Sequence, residues 1–180
     1  SLESKKILVQ GTGNVGENLI KLLEKEGADI LVHDVNKIKL HEINEKYNVS
    51  IIEDNIYSQN IDIYAPCALG ATLNDNTIPL LNCSIIAGAA NNQLAQEDKH
   101  DRMLIDKNIL YAPDFLINAG GLINVYSELK GLGTDKVMDK TGNIYDTTIS
   151  ILEKSKSENI SSQQAALKIA KEKVYLKSIS

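Results

Sequence analysis

A chain of 180 residues, 43% hydrophobic and 24% charged, has the balance of a globular protein of one domain, or one domain with an appendage, and is long enough for a true core. Its net charge of -5 argues against a phosphate-tracking surface and so against nucleic acid as a partner. No apolar run approaches membrane-spanning length and no charged-then-apolar leader is seen, so neither a membrane span nor a secretory signal is expected.

The opening Ser1-Leu2-Glu3-Ser4 has no initiator methionine and stands a few residues before the first strand, which suggests a piece cut from a longer chain. The β-branched run Ile7 to Val9 then feeds into Gly11-Thr12-Gly13-Asn14-Val15-Gly16, a Gly-x-Gly-x-x-Gly motif. Apolar residues at helical spacing follow, Val15, Leu19, Leu22 and Leu23, and Gly27 reads as the C-cap. A second strand, Ile30-Leu31-Val32, leads to Asp34. Strand, glycine turn, helix, strand and acid in this order read as a dinucleotide-binding unit. Gly11 allows the turn, Gly13 keeps side chains away from a pyrophosphate, and Gly16 brings the helix close to the strand. The helix starting near Asn14 offers free N–H groups and the positive end of its dipole to phosphates. Asp34 is placed to accept from the 2′- and 3′-hydroxyls of a ribose. Its charge would repel a 2′-phosphate and no Arg follows within a dozen residues, which favours NAD over NADP, although Lys37 and Lys39 lie nearby.

Asn36 to Tyr47 reads as a second helix with Ile38, Ile43 and Tyr47 on its apolar face, Val49 to Ile52 as a third strand and Ile61 to Ala65 as a fourth. This rhythm predicts an α/β fold with a doubly wound, Rossmann-type parallel sheet, whose ligands sit at the carboxyl ends of the strands. Pro66 to Asn74, small and nearly uncharged, suits either a loop against a flat ligand or a buried turn. Cys67 and Cys83 lie outside any metal-type spacing, so reduced thiols in a cytoplasm and no metal site are expected. A fifth strand, Ser84 to Gly88, is followed by Asn91-Asn92-Gln93, three amides suited to a carboxamide or carboxylate or simply to a turn. Glu97 to Lys107 reads as a polar helix and Ile109 to Ala112 as a strand. An apolar stretch broken by Asn118, Gly120 and Gly121 then becomes a helix with Leu122 and Val125 on one face, for a pocket or for the core. Gly131 to Gly142 reads as a linker, dividing a domain over 1–135 from a C-terminal helical appendage over 136–180. The appendage carries a stripe of Ile144, Thr148, Ile151 and Leu152. Its last helix opens on a Ser161/Gln164 capping box and has Ala166, Leu167, Ala170 and Val174 on one face. His33, His41 and His100 fall at a strand end and in polar helical stretches, and read as solvated surface.

Four stretches, Gln10 to Gly16, Tyr64 to Gly70, Ala87 to Leu94 and Tyr111 to Gly121, together resemble the C-terminal, NAD-binding half of the leucine dehydrogenases, within the Glu/Leu/Phe/Val amino-acid dehydrogenase family. The resemblance implies oxidative deamination of an L-amino acid, a branched-chain one and leucine first, to the 2-oxo acid and ammonia with NAD as hydride acceptor. It implies that Gly11 to Glu17 form the phosphate loop and Asp34 the ribose clamp. Cys67 and Ala68 would lie along the cofactor, Asn92 and Asn118 near nicotinamide and substrate, and Leu122 and Val125 in the side-chain pocket. Leu122 stands where the leucine enzymes carry Val, a methylene worth about 1–3 kcal/mol of discrimination, which keeps a phenylalanine or valine dehydrogenase in view. The family's acid/base machinery, a Lys in a Gly-Gly-Gly-Lys stretch and an Asp, belongs to a separate N-terminal catalytic domain and is not recognisable in this sequence. The expectation is a chain that binds NAD but is catalytically silent alone, with no catalytic residue of its own, cut from a homo-oligomeric parent. The alternative of a different class is a stand-alone NAD-binding sensor.

Overall fold

Ile7, Leu8 and Val9 are all buried in β1 (Lys6–Gln10), because successive strand side chains point to opposite faces and both faces of this sheet are covered. Ile7 and Val9 pack with Ile30 and Val32 of β2 (Asp29–His33) under α1 (Asn14–Lys25) and α2 (Lys37–Lys46). Leu8 and Leu31 face the other layer with Tyr64 of β4 (Ile63–Pro66), Ile86 of β5 (Ile85–Ile86) and Tyr111 of β6 (Leu110–Tyr111). Leu104 of α3 (Glu97–Asp106) and the 3-10 turns at Ile56–Ser58 and Ile78–Leu80 cover that second face. With β3 (Val49–Ile51) at one edge, the six strands run in the order β3-β2-β1-β4-β5-β6, all parallel. The order reverses direction between β1 and β4, the switch point at which sheets of this kind open a crevice.

The computed structural model describes residues 1–178, and the chain divides into two compact units, Ser1–Asp114 and the helical remainder from Phe115. The division falls ahead of the 135/136 boundary expected from the sequence. The reason is local: Gly131 (φ +63°) and Gly133 punctuate the chain, but α6 (Thr134–Glu158) starts at once and carries Gly142 inside it, so no linker extends from 131 to 142. The second unit comprises most of α4 (Asp114–Ile117), α5 (Gly120–Leu129), α6 and α7 (Ser162–Ser178). Ile151 of α6 packs there on Ala165 and Ala166 of α7, with Leu116, Ile160 and Ile169 around them. The capping box forms as expected: Gln164 N–H donates to Ser161 Oγ at 3.0 Å and Ser161 N–H to Gln164 Oε1 at 3.4 Å.

Three helical faces differ from the sequence reading. In α1 the buried face is Gly16, Ile20 and Leu23, while Val15 and Leu22 are exposed, because residues seven apart share one flank and this flank faces outward. In α2 Leu40 and Ile43 are buried and Ile38 is exposed. In α7 the buried residues are Ser162, Gln163, Ala165 and Ala166, with Leu167, Ala170 and Val174 exposed. Nor is His100 surface: it is 1% exposed in α3, its Nδ1 accepts the Gln96 N–H at 2.8 Å, and its Nε2 faces Asp75 Oδ1 at 3.4 Å. Among the described residues no helix is long and apolar enough to cross a membrane.

Candidate functional site: the carboxyl edge of the sheet

Beyond the end of β1 the chain turns through Gly11 at φ +101°, a left-handed conformation that a side chain would strain. A Cβ there would also stand 2.7 Å from Ala68 Cβ, so the glycine lets the segments after β1 and β4 touch. Gly11 N–H donates to His33 O at 2.8 Å and Cys67 N–H to Gln10 O at 2.7 Å, which sets the loop between the ends of β2 and β4. A Cβ at Gly16 would run into the Gly11 carbonyl oxygen, so the first turn of α1 presses on the loop itself. Around Gly13 the situation is the reverse: no atom lies within 4 Å of the place its Cβ would take.

Gly13 is the N-cap of α1 and contributes no capping side chain. Glu17 N–H makes the first helical bond, to Gly13 O at 2.8 Å, so the N–H groups of Asn14, Val15 and Gly16 have no acceptor within the helix. Open space over a glycine and an uncapped helix N-terminus together fit the phosphates of a dinucleotide. The exposed Val15 side chain stands at this end of the helix, where the motif places its backbone.

Asp34, directly after β2, faces the same loop. Its Oδ2 accepts Thr12 N–H at 2.7 Å and Thr12 Oγ1–H at 3.0 Å, and its Oδ1 accepts Asn36 N–H at 2.9 Å. Burial acts to raise its pKa, but the bonds from Thr12 and Asn36, with His33 nearby, outweigh it and hold the carboxyl below its ordinary value. Asp34 is therefore ionised at neutral pH. Thr12 itself is fully buried, so its side chain serves Asp34 and offers no surface to a ligand, unlike the exposed Gly13, Asn14 and Val15.

Cys67 and Ala68 follow β4. Burial pushes the Cys67 thiol up despite a bond from the Ala89 backbone, so it is a neutral thiol and a poor nucleophile; Cys67 and Cys83 are both free. The next turn is tied to the segment after β5: Ala71 N–H donates to Asn92 O at 2.7 Å, and a Cβ at Gly70 would stand 2.5 Å from Asn91 O. Asn92 is exposed at φ +51°, whereas Gln93 is buried, so the three amides do not act alike. Gln93 Nε2 donates to Gly88 O at 2.7 Å and Ala90 O at 2.9 Å, and Gln93 N–H donates to Asp114 Oδ2 at 2.8 Å. Below the loop, Tyr64 O–H donates to Gln10 Oε1, and Gln10 Nε2 donates to the Tyr57 hydroxyl at 3.4 Å. Burial raises the Tyr64 pKa, so the phenol keeps its proton.

Sequence reasoning assigns no role to Gln10 or Asp114, and it groups Gln93 with two exposed amides although Gln93 is buried. The available signal was a polar or charged residue at the end of an apolar run, as Asp114 ends Ile109 to Pro113. Asn118, Leu122 and Val125 belong to the second unit: Asn118 in the turn before α5, Leu122 and Val125 exposed on α5.

A parallel sheet with a glycine loop, an open helix N-terminus and a fixed acid at its switch point defines a dinucleotide-binding protein. Residues 30–178 match the Glutamate/Leucine/Phenylalanine/Valine dehydrogenase family, and the chain belongs to it. The L-tryptophan dehydrogenase of Nostoc punctiforme is 47% identical over 174 residues, 96% of this chain and 49% of the relative. The leucine dehydrogenase of Bacillus cereus is 47% identical over 175 residues, 97% of this chain and 48% of the relative. The crystal structure of L-tryptophan dehydrogenase from Nostoc punctiforme superposes with a TM-score of 0.96 at 46% identity, covering 99% of this chain and 54% of that one. The chain thus spans about half the length of the curated relatives it matches. A domain of this family and fold binds NAD(P).

Proposed function

We propose that the chain is the NAD-binding half of an L-amino-acid dehydrogenase that oxidatively deaminates a branched-chain substrate, leucine first, to the 2-oxo acid and ammonia. The observation that carries the reading is the switch-point arrangement, in which the ionised Asp34 is bonded to the glycine loop beside the open Gly13. A carboxylate held charged there repels a 2′-phosphate, which supports NAD over NADP.

The N–H groups of Asn14 to Gly16 hold the phosphates and Asp34 the ribose. Cys67 and Ala68 flank the cofactor as uncharged surface, and the Asn92 and Asn118 amides serve the nicotinamide and the substrate. Leu122 and Val125 supply part of a pocket for the substrate side chain. NAD, when bound, accepts the hydride. Proton transfer and orientation of the α-carbon come from an N-terminal catalytic domain, in keeping with relatives twice as long. The parent is a cytoplasmic homo-oligomer in this reading, and the isolated chain binds NAD without turnover.

Calorimetry on the purified chain is expected to give heat with NAD and a loss of affinity on Asp34→Ala. An absence of heat at millimolar NAD, or leucine turnover by the chain at more than a trace of a full enzyme's rate, overturns the proposal. Relatives named for tryptophan and for leucine are equally similar, so the substrate needs its own test. In the full-length enzyme Leu122→Val is expected to shift the ratio of leucine, valine and isoleucine turnover, and an unchanged ratio removes Leu122 from the pocket.

A further inference from the structure

Thr12 has the wrong exposure for a phosphate ligand, since its side chain is 0% exposed, and both of its donors go to a single atom, Asp34 Oδ2. A carboxylate has about four lone-pair sites, two on each oxygen. Thr12 N–H at 2.7 Å and its hydroxyl at 3.0 Å take the two on Oδ2, and Asn36 N–H at 2.9 Å takes one on Oδ1. One acceptor site remains, on Oδ1. We propose that Thr12 is a positioning residue that occupies Oδ2, fixes the carboxylate plane, and leaves Asp34 to recognise one ribose hydroxyl through Oδ1 instead of clamping two.

The proposal rests on Asp34 being the ribose clamp, and it changes what that clamp does. The two backbone donors are present whatever the side chain at position 12, so the hydroxyl is the part that sequence can vary. Valine has nearly the shape of threonine without the hydroxyl, and serine restores the hydroxyl without the methyl group. The loss of a bond to a charged group is the only chemical difference common to the comparison.

The experiment is a titration of the chain with NAD and with its 2′-deoxyadenosine and 3′-deoxyadenosine analogues. Wild type, Asp34→Ala, Thr12→Val, Thr12→Ser and the Thr12→Val/Asp34→Ala double variant are compared. Thr12→Val is expected to weaken NAD binding by about fivefold to tenfold, less than the full worth of one charge-assisted bond because Asp34 keeps its two backbone donors. Thr12→Ser is expected to restore binding, and Thr12→Val to have no further effect once Asp34 is Ala. An equal effect of Thr12→Val with and without Asp34, or failure of Ser to rescue, overturns the inference.

Wild type against Asp34→Ala, with the two deoxy analogues, needs no change at position 12 and so decides the matter even if the valine variant does not fold. Only one of the two missing hydroxyls is expected to lose its penalty when Asp34 is removed. If both do so equally, the single-oxygen assignment is wrong although the clamp stands. If Asp34→Ala leaves NAD affinity unchanged, the clamp and this inference fall together.

Discussion

The Asp114 carboxylate accepts the backbone N–H of Gln93 at 2.8 Å, joining the segment after β6 to the segment after β5. Both residues are buried, so this bond has no competition from water. Asp114→Ala leaves a buried N–H without its acceptor and is expected to cost about 1–3 kcal/mol, read as a lower denaturant midpoint. Asp114→Asn retains an acceptor and is expected to lose less. Equal loss in both variants would show that the charge of Asp114, which Tyr111 also faces, matters beyond the acceptor it offers Gln93.

Gly13 and Gly16 lie in one motif but are expected to fail in different ways. Gly16→Ala drives a methyl group toward the Gly11 carbonyl and should destabilise the fold by about 1–3 kcal/mol, as overpacking does. Gly13→Ala meets nothing within 4 Å and should leave the unfolding midpoint in place while weakening NAD binding. Denaturation and calorimetry on the two variants separate these outcomes, and a stability loss at Gly13 would contradict the open space beside it.

Acid titration should expose the Asp34 bonds. Its carboxyl sits below the ordinary value of 3.8 in the folded chain, so on acidification the unfolded chain takes up the proton first. The stability contributed by Asp34 is therefore complete above 3.8 and lost as pH falls through the lower folded value. Asp34→Asn is expected to flatten this part of the acid limb in a series of unfolding curves. An unchanged slope would mean that Thr12 and Asn36 do not favour the ionised form.

In the second unit, Ser161→Ala removes the acceptor of the Gln164 N–H and is expected to cost about 1 kcal/mol of helix stability. Helical circular dichroism during thermal unfolding is the measurement. Ser161→Asp keeps an acceptor at the N-cap and should retain most of the stability.

The first βαβ unit was legible because its strands are continuous apolar runs, as sheets covered on both faces require, and because glycines and an acid stand at fixed offsets from them. The inward face of α1 was misread for a physical reason. Its central contact is Gly16, which buries backbone against backbone and has no hydrophobicity to count, so Val15 and Leu22 drew the stripe one flank away. His100 was misread because the donor to its Nδ1 is a main-chain N–H, that of Gln96, and a main-chain donor leaves no mark in a sequence. Thr12 was grouped with the phosphate loop by position; its direction became evident only with the Asp34 bonds. The linker failed because one glycine, Gly142, is tolerated in the interior of a long helix.

The Ala71–Asn92 bond and the close approach at Gly70 are main chain to main chain, so they depend on how many residues each turn contains and on position 70 carrying no side chain. Amino-acid exchanges at exposed Leu69 leave that seam closed. One inserted residue between Cys67 and Ala71 slides the N–H off its carbonyl and separates two rims of the crevice at once. Turn length, together with the absence of a side chain at position 70, is what this edge of the protein holds fixed.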